Sequence, residues 1–293
     1  MKHQSVRKAV IPVAGFGTRF LPATKNQPKE LLPIVDKPTI HYIVEAAVAS
    51  GITDIVIVTS YNKRPVEDYF DHAYELEDWL KKNNKTSQLE IVRNIPKMAN
   101  FIYIRQKGPM GNGTPVLNAK NIIGNEPFAV FWGDEFYHCK KEPWIKQLVK
   151  TYDKYQHPVM AVMPTDDEGT KRFGIIDGQK VDNNTFLINK IAEKPGPKKA
   201  PSRIAAVRGY ILTPDIFPIL EKTKPSHGGE IYLVDAIKEL NKKRPVYGAV
   251  INGEYFDGNN TLGWLKANTA MALEHPEIKD DYLAYIRQIL NNK

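Results

Sequence analysis

Apolar residues along this chain alternate between short unbroken runs and longer stretches in which they recur every three or four positions. The first kind fits strands buried on both faces, the second amphipathic helices. Residues 6–14 form a β-branched apolar run and are predicted as the first strand. Pro38 then opens a helix running to Gly51, with Ile40, Ile43, Val44, Ala47 and Val48 on one face. Residues 54–59 read as the next buried strand, and 65–82 as one helix with aromatic and leucine positions at helical spacing. Three more strands are predicted at 101–106, 128–132 and 159–163. Strands alternating with helices predict an α/β fold on an open, mainly parallel, twisted sheet covered on both sides.

Past Pro164 the alternation loosens. Residues 174–177, 186–193 and 205–212 read as short strands between Gly, Pro and Asn turns. They suggest a smaller antiparallel section appended to the parallel sheet. Helices return at 229–242, 262–273 and 278–290. The last carries Ile278, Tyr282, Ile286 and Ile289 on one side, a face that needs cover, and another subunit could supply it. No internal repeat or low-complexity linker is visible, so the reading is a single domain over 5–291 with two lobes.

Composition narrows the class of protein. Hydrophobic residues at 42% and charged residues at 25% of 293 are ordinary for a globular chain and argue against disorder. No run of eighteen apolar residues offers a membrane span, and the first residues lack the apolar core of a signal peptide. One cysteine, Cys139, excludes an internal disulfide and a cysteine metal cage, and the cytoplasm is the expected location. The net charge of +8 suits polyanionic ligands. The cations are nevertheless scattered and often sit beside acids, as in Lys140-Lys141-Glu142. The densest run, Lys242-Lys243-Arg244, closes a helix, where cations complement the macrodipole. No nucleic-acid or membrane partner is expected.

The candidate chemistry begins where the first strand runs into Gly15-Phe16-Gly17-Thr18-Arg19. Glycines let backbone N–H groups approach phosphate without a side chain in the way. The turn lacks the third glycine of a dinucleotide fingerprint and the Gly-Lys-Ser/Thr of a P-loop. It carries cations instead: Arg19, Lys25 and Lys29 lie within about a dozen residues and could neutralise a triphosphate. A tight structural turn with solvated cations is the alternative.

Gly-x-Gly-Thr-Arg-Phe-Leu-Pro from Gly15 to Pro22, followed by Pro28-Lys29-Glu30-Leu31-Leu32-Pro33, resembles the signature of sugar-1-phosphate nucleotidyltransferases. The wider run from Lys8 to Pro38 resembles the bacterial UTP–glucose-1-phosphate uridylyltransferases in particular. The likeness continues in collinear order through Glu75-Leu76-Glu77, Arg105-Gln106, Glu193-Lys194-Pro195 and Gly228-Gly229-Glu230-Ile231. It implies a Rossmann-like nucleotidyltransferase fold with a nucleotide-binding part at roughly 5–135 and a sugar-phosphate-binding and assembly part at roughly 136–291. The implied reaction joins UTP to glucose 1-phosphate, giving UDP-glucose and pyrophosphate. A sugar phosphate oxygen attacks the α-phosphorus directly, with Mg2+ as cofactor, in a homodimer or homotetramer. Thymidylyl transfer, another hexose 1-phosphate and a non-catalytic UDP-sugar-binding regulator are the rivals. A glycosyltransferase would not need the glycine turn with Arg19 and Lys29.

Carried over residue by residue, the resemblance makes Arg19, Lys29 and Asp134 the catalytic set. Ala14, Gly15, Gly17, Thr18, Glu30, Gln106 and Gly111 fall on the nucleotide side, with Gln106 toward the uracil edge. Glu135, Gly174, Glu193, Lys194, Arg208 and Gly209 fall on the sugar-phosphate side, with Lys194 on the phosphate. Asp134 follows a strand directly, where open α/β sheets place ligands, and Asp257 is the second candidate metal ligand. Read without the family, each acid is more often a turn or cap residue than a metal ligand. The chain departs from the family pattern at Gly111-Asn112-Gly113-Thr114-Pro115-Val116, where the second and fourth positions are usually Leu and His. Glu135 stands for an aspartate. Val207-Arg208-Gly209-Tyr210 exchanges a glycine and an arginine, and Asp257-Gly258-Asn259-Asn260 replaces Asp-Ile-Gly-Asp.

Overall fold

A computed structural model describes residues 4–292, with His227 given by its backbone alone. In chain order the strands are β1 (Lys8–Pro12), β2 (Pro33–Ile34), β3 (Lys37–Pro38), β4 (Asp54–Thr59), β5 (Asn100–Arg105), β6 (Phe128–Val130) and β7 (Glu135–His138). They continue as β8 (Val159–Pro164), β9 (Gly174–Lys180), β10 (Thr185–Glu193), β11 (Ile204–Leu212), β12 (Tyr247–Val250) and β13 (Glu254–Asp257). The helices are α1 (Thr39–Val48), α2 (Arg64–Tyr69), α3 (Tyr74–Lys82), α4 (Thr86–Asn94), α5 (Thr114–Asn118) and α6 (Lys120–Ile123). After them come α7 (Trp144–Tyr155), α8 (Gly169–Arg172), α9 (Phe217–Lys222), α10 (Leu233–Asn241), α11 (Thr261–Ala272) and α12 (Lys279–Asn291).

Nine strands form one sheet in the order β5-β4-β1-β6-β11-β8-β12-β10-β9. Strands β5, β4, β1 and β6 are mutually parallel, as the apolar runs led us to expect. The α/β class is the expected one, but the sheet is mixed. Of the three strands expected as an appended antiparallel section, β10 and β9 do stand at the edge, but β11 runs between β6 and β8 and pairs with both. Its sequence suits that central place, because Val207 and Ile211 bury on one face while Tyr210 and Leu212 bury on the other.

Two helical layers close the faces. One core joins Ala9, Ile11, Ile55 and Ile57 of the sheet to Ile40, Ile43, Val44 and Ala47 of α1 and to Trp144, Ile145 and Leu148 of α7. The other joins Val10, Val56, Val58, Phe128 and Val130 to Val116, Phe217, Leu220, Leu233 and Ile237. Burying each such large side chain contributes about 1.5–3 kcal/mol.

Two helical readings need correction, and one helical face stays without cover. Residues 65–82 are two helices, not one: the Phe70 ring leaves the helical path and stacks on Phe101 at 4.5 Å. The Asp71 carboxylate then accepts from the His72 amide at 2.8 Å, a local turn that competes with helix. The helix expected from Gly229 starts at Leu233, because Gly228 and Gly229 hold φ of +72° and +75°. Finally, α12 has no buried residue among those described. Tyr282 and Ile286 are half-covered, while Ile278 and Ile289 remain exposed. Among the described residues no helix is long and apolar enough to cross a membrane.

Candidate active site

The carboxyl ends of the parallel strands set the nucleotide-side wall. Strand β1 runs on into Val13-Ala14-Gly15, and Ser60, just after β4, donates to the Ala14 carbonyl at 3.4 Å. The backbone N–H of Gln106, just after β5, donates to the Thr59 carbonyl at 2.8 Å. Ala14, Ser60 and Gln106 therefore lie side by side along one sheet edge, the position at which open α/β sheets bind ligands. Gly15, Thr18 and Arg19 are exposed on the loop above, and Gly17 is half-buried there.

Asp134 follows β6 and is 2% exposed. Its Oδ2 accepts from Lys29 Nζ at 2.5 Å, and the same ammonium donates to Asn259 Oδ1 at 3.0 Å. The first loop is thus tied directly to the strand-end carboxylate. Burial alone would lower the pKa of Lys29, but Asp134 and Glu30 outweigh it and hold the ammonium above its ordinary value. Strands β7 and β13 pair antiparallel beside this point, with Asp257 opposite Glu135. Asp257 is oriented by the Asn259 amide at 3.0 Å and the Asn260 side chain at 3.1 Å, with Arg172 at 3.6 Å.

Beyond Asp134 opens a cavity of about 280 Å³ whose walls include Arg19, Gly174, Glu193, Lys194, Arg208 and Asp257. Lys194 adopts φ +42°, an uncommon conformation for a long side chain, and strained backbone of this kind clusters at functional sites. Its ammonium lies largely exposed, 3.8 Å from Glu193. Gly174 pairs with Glu193 across β9 and β10. Glu135 is 6% exposed and accepts from Arg208 through one oxygen and from the Tyr255 hydroxyl, at 2.6 Å, through the other. Burial pushes its carboxyl up to about 7 against the opposing pull of Arg208.

Two expected contacts fall elsewhere. Glu30, read as a nucleotide residue, is buried and bound to Lys63 Nζ at 2.9 Å, with both side chains 2% exposed. Burial pushes its carboxyl upward and Lys63 draws it back down. Gly209, read as a sugar residue, faces the opposite side of β11: a Cβ there would lie 2.9 Å from the Trp144 ring. That contact explains the exchange of glycine and arginine, since any side chain at 209 meets Trp144 while Arg208 points the other way into the cavity. Gly111 has φ +116°, and a Cβ on it would run into the backbone of Ile231. The close approach joins two loops: Ile231 donates to the Met110 carbonyl at 2.9 Å and Gly113 donates to Ile231 at 2.8 Å. Asn112 then accepts from the Leu233 amide at 2.8 Å, capping α10.

Lys63, Asn259 and Tyr255 are site-building residues that the sequence did not single out. Lys63 carried a usable signal, since it lies just beyond a parallel strand's carboxyl end. Asn259 lies in a segment that departs from the family pattern, and Tyr255 carried no signal, because its partner Glu135 is far away in sequence.

The family described as nucleotidyl transferase matches residues 8–268 of the chain. The UTP–glucose-1-phosphate uridylyltransferase YngB of Bacillus subtilis strain 168 is 44% identical over 290 residues, covering 99% of this chain and 97% of that one. The UTP–glucose-1-phosphate uridylyltransferase of Streptococcus pneumoniae serotype 4 is 45% identical over 97% and 96% of the two chains. Among solved structures, a UDP-glucose pyrophosphorylase complexed with UDP-glucose is similar at TM-score 0.84 and 39% identity, covering 92% of this chain and all of the other. UTP-bound UGPase from Acinetobacter baumannii is similar at TM-score 0.88 and 34% identity, over 98% and 100%.

Proposed function

The chain belongs to the nucleotidyl transferase family, and from that premise we propose that it joins UTP to glucose 1-phosphate, making UDP-glucose and pyrophosphate. The carrying observation is the bond from Lys29 to Asp134, which fixes the phosphate loop at the strand end beside the cavity of Arg19 and Lys194. A phosphate monoester is already an anionic nucleophile, so proton abstraction is not needed. The chain's part is to place that oxygen in line with the α-phosphorus and to screen charge. In this reading the loop amides at Ala14 and Gly15, with Arg19 and Lys29, hold the triphosphate. Gln106 faces the base, and Glu193 and Gly174 lie beside the sugar.

Asp134 and Asp257 suit Mg2+, which is usually held by one or two carboxylates with phosphate oxygens and water completing the shell. The pairing of β7 with β13 sets Asp257 opposite Glu135, the residue after Asp134, and no cluster of three such ligands is present among the described residues. When bound, the ion supplies charge neutralisation at the phosphates. We further propose that the protein works in the cytoplasm. We also propose that the uncovered apolar side of α12, with Tyr285 and Leu290 exposed, packs against a second copy of this chain in a dimer or tetramer.

The deciding experiment measures pyrophosphate release with four NTPs and a set of sugar 1-phosphates. UTP with glucose 1-phosphate should give the highest kcat/KM. Preference for TTP would move the enzyme to the thymidylyl branch, and no release from any pair would make the chain a UDP-sugar binder. Lys194→Ala should raise KM for glucose 1-phosphate about 10- to 100-fold, in line with a lost charge-assisted contact, while KM for UTP changes little. Equal rises in both constants would remove Lys194 from the sugar phosphate.

A further inference from the structure

The pair formed by Arg208 and Glu135 stands in the wall of the cavity and leaves hydrogen-bond donors unspent. Among the described residues, the hydrogen bond that Arg208 donates runs from Nη1 to Glu135. Its guanidinium has five N–H groups in a fixed fork, and the side chain is 37% exposed toward the cavity. Two further contacts fix its orientation. The guanidinium lies 5.5 Å from the centre of the Trp132 ring, and the Tyr255 hydroxyl holds the far oxygen of Glu135.

Charge decides what such donors can read. The cavity is lined by three acids, Glu135, Glu193 and Asp257, and by three bases, Arg19, Lys194 and Arg208. An arriving sugar phosphate brings about two negative charges, which engage Lys194, while Arg19 is taken by the triphosphate. Arg208 is already neutralised by Glu135. A second anionic group on the sugar would therefore meet Glu193, left without its cation once Lys194 holds the phosphate, whereas a neutral hydroxyl would meet an oriented donor.

We propose that Arg208, positioned by Glu135, is a specificity-determining residue that donates to the hydroxyls of a neutral hexose 1-phosphate and disfavours sugars bearing a carboxylate. This rests on the uridylyl-transfer reading above and names the side chain that selects its sugar.

The test compares wild type with Arg208→Met, Arg208→Lys and Glu135→Gln, using UTP with glucose 1-phosphate, its 2-, 3-, 4- and 6-deoxy analogues, galactose 1-phosphate and glucuronic acid 1-phosphate. Wild type should favour glucose 1-phosphate over at least one deoxy analogue by about 10-fold or more, because a donor left unpaired penalises the analogue lacking its acceptor. In Arg208→Met that ratio should fall to within about twofold of unity, with KM for UTP nearly unchanged. Arg208→Lys, which keeps the charge without the fork, should recover only part of the discrimination. Glu135→Gln should raise relative activity on glucuronic acid 1-phosphate by leaving the Arg208 charge uncompensated. Each ratio is taken within one preparation, so a partly unfolded variant does not disturb it. Unchanged ratios in Arg208→Met would overturn the proposal, as would a wild type that prefers glucuronic acid 1-phosphate. A wild type that releases no pyrophosphate from any pair would overturn the underlying reading instead.

Discussion

Asp134→Asn is expected to lower kcat for pyrophosphate release on the order of 10³-fold, the scale of losing a preorganised charge at a phosphate-transfer centre. The substitution keeps the size of the side chain and leaves an oxygen to accept from Lys29, so the fold should persist by circular dichroism. What disappears is the negative charge that fixes the Lys29 ammonium at 2.5 Å and would help hold the metal ion. Asp134→Ala should lose at least as much activity and also some stability, because Lys29 is largely buried and would keep only Asn259 as a partner. Turnover within about tenfold of wild type in the asparagine variant would show that the charge at 134 is not part of the chemistry.

The second large effect is on stability. Lys63→Met should cost about 3–5 kcal/mol, since it strands the Glu30 carboxyl in a dry site with its counter-charge removed. The pair is unusual in that both side chains are 2% exposed, so neither can recover its loss from water. Replacing both partners, as Glu30→Gln with Lys63→Met, should recover much of the loss, because a buried ion pair is often replaceable as a unit although it cannot be halved. Urea unfolding of the two singles and the double, analysed as a cycle, measures the coupling. A Lys63→Met midpoint equal to wild type would mean that Glu30 simply takes up its proton without strain.

The parts of the fold that sequence revealed are those governed by local pattern. Asp54–Thr59 was placed to the residue because an unbroken β-branched run has few other uses. The buried face of α1 followed from spacing alone. What stayed hidden depends on partners distant along the chain. Nothing local says that β11 inserts between β6 and β8, or that Glu135 meets Asp257 across an antiparallel ribbon. The resemblance put Glu30 on the nucleotide side, and only the placement of Lys63 shows that its carboxylate turns inward. Gly209 was misread for a similar reason: the resemblance supplied a glycine near the sugar, whereas the Trp144 ring determines which of two adjacent positions must lack a side chain.

The seam at Ile231 makes the protein less modular than its motifs suggest. Asn112 sits in a segment whose composition varies from the family pattern, yet its side chain caps the start of a helix 121 residues later. Transplanting the 111–116 segment from a relative with leucine in place of Asn112 would therefore export a missing cap as well as a changed substrate wall. Chimeras should exchange that segment together with the start of α10, as one unit of inheritance.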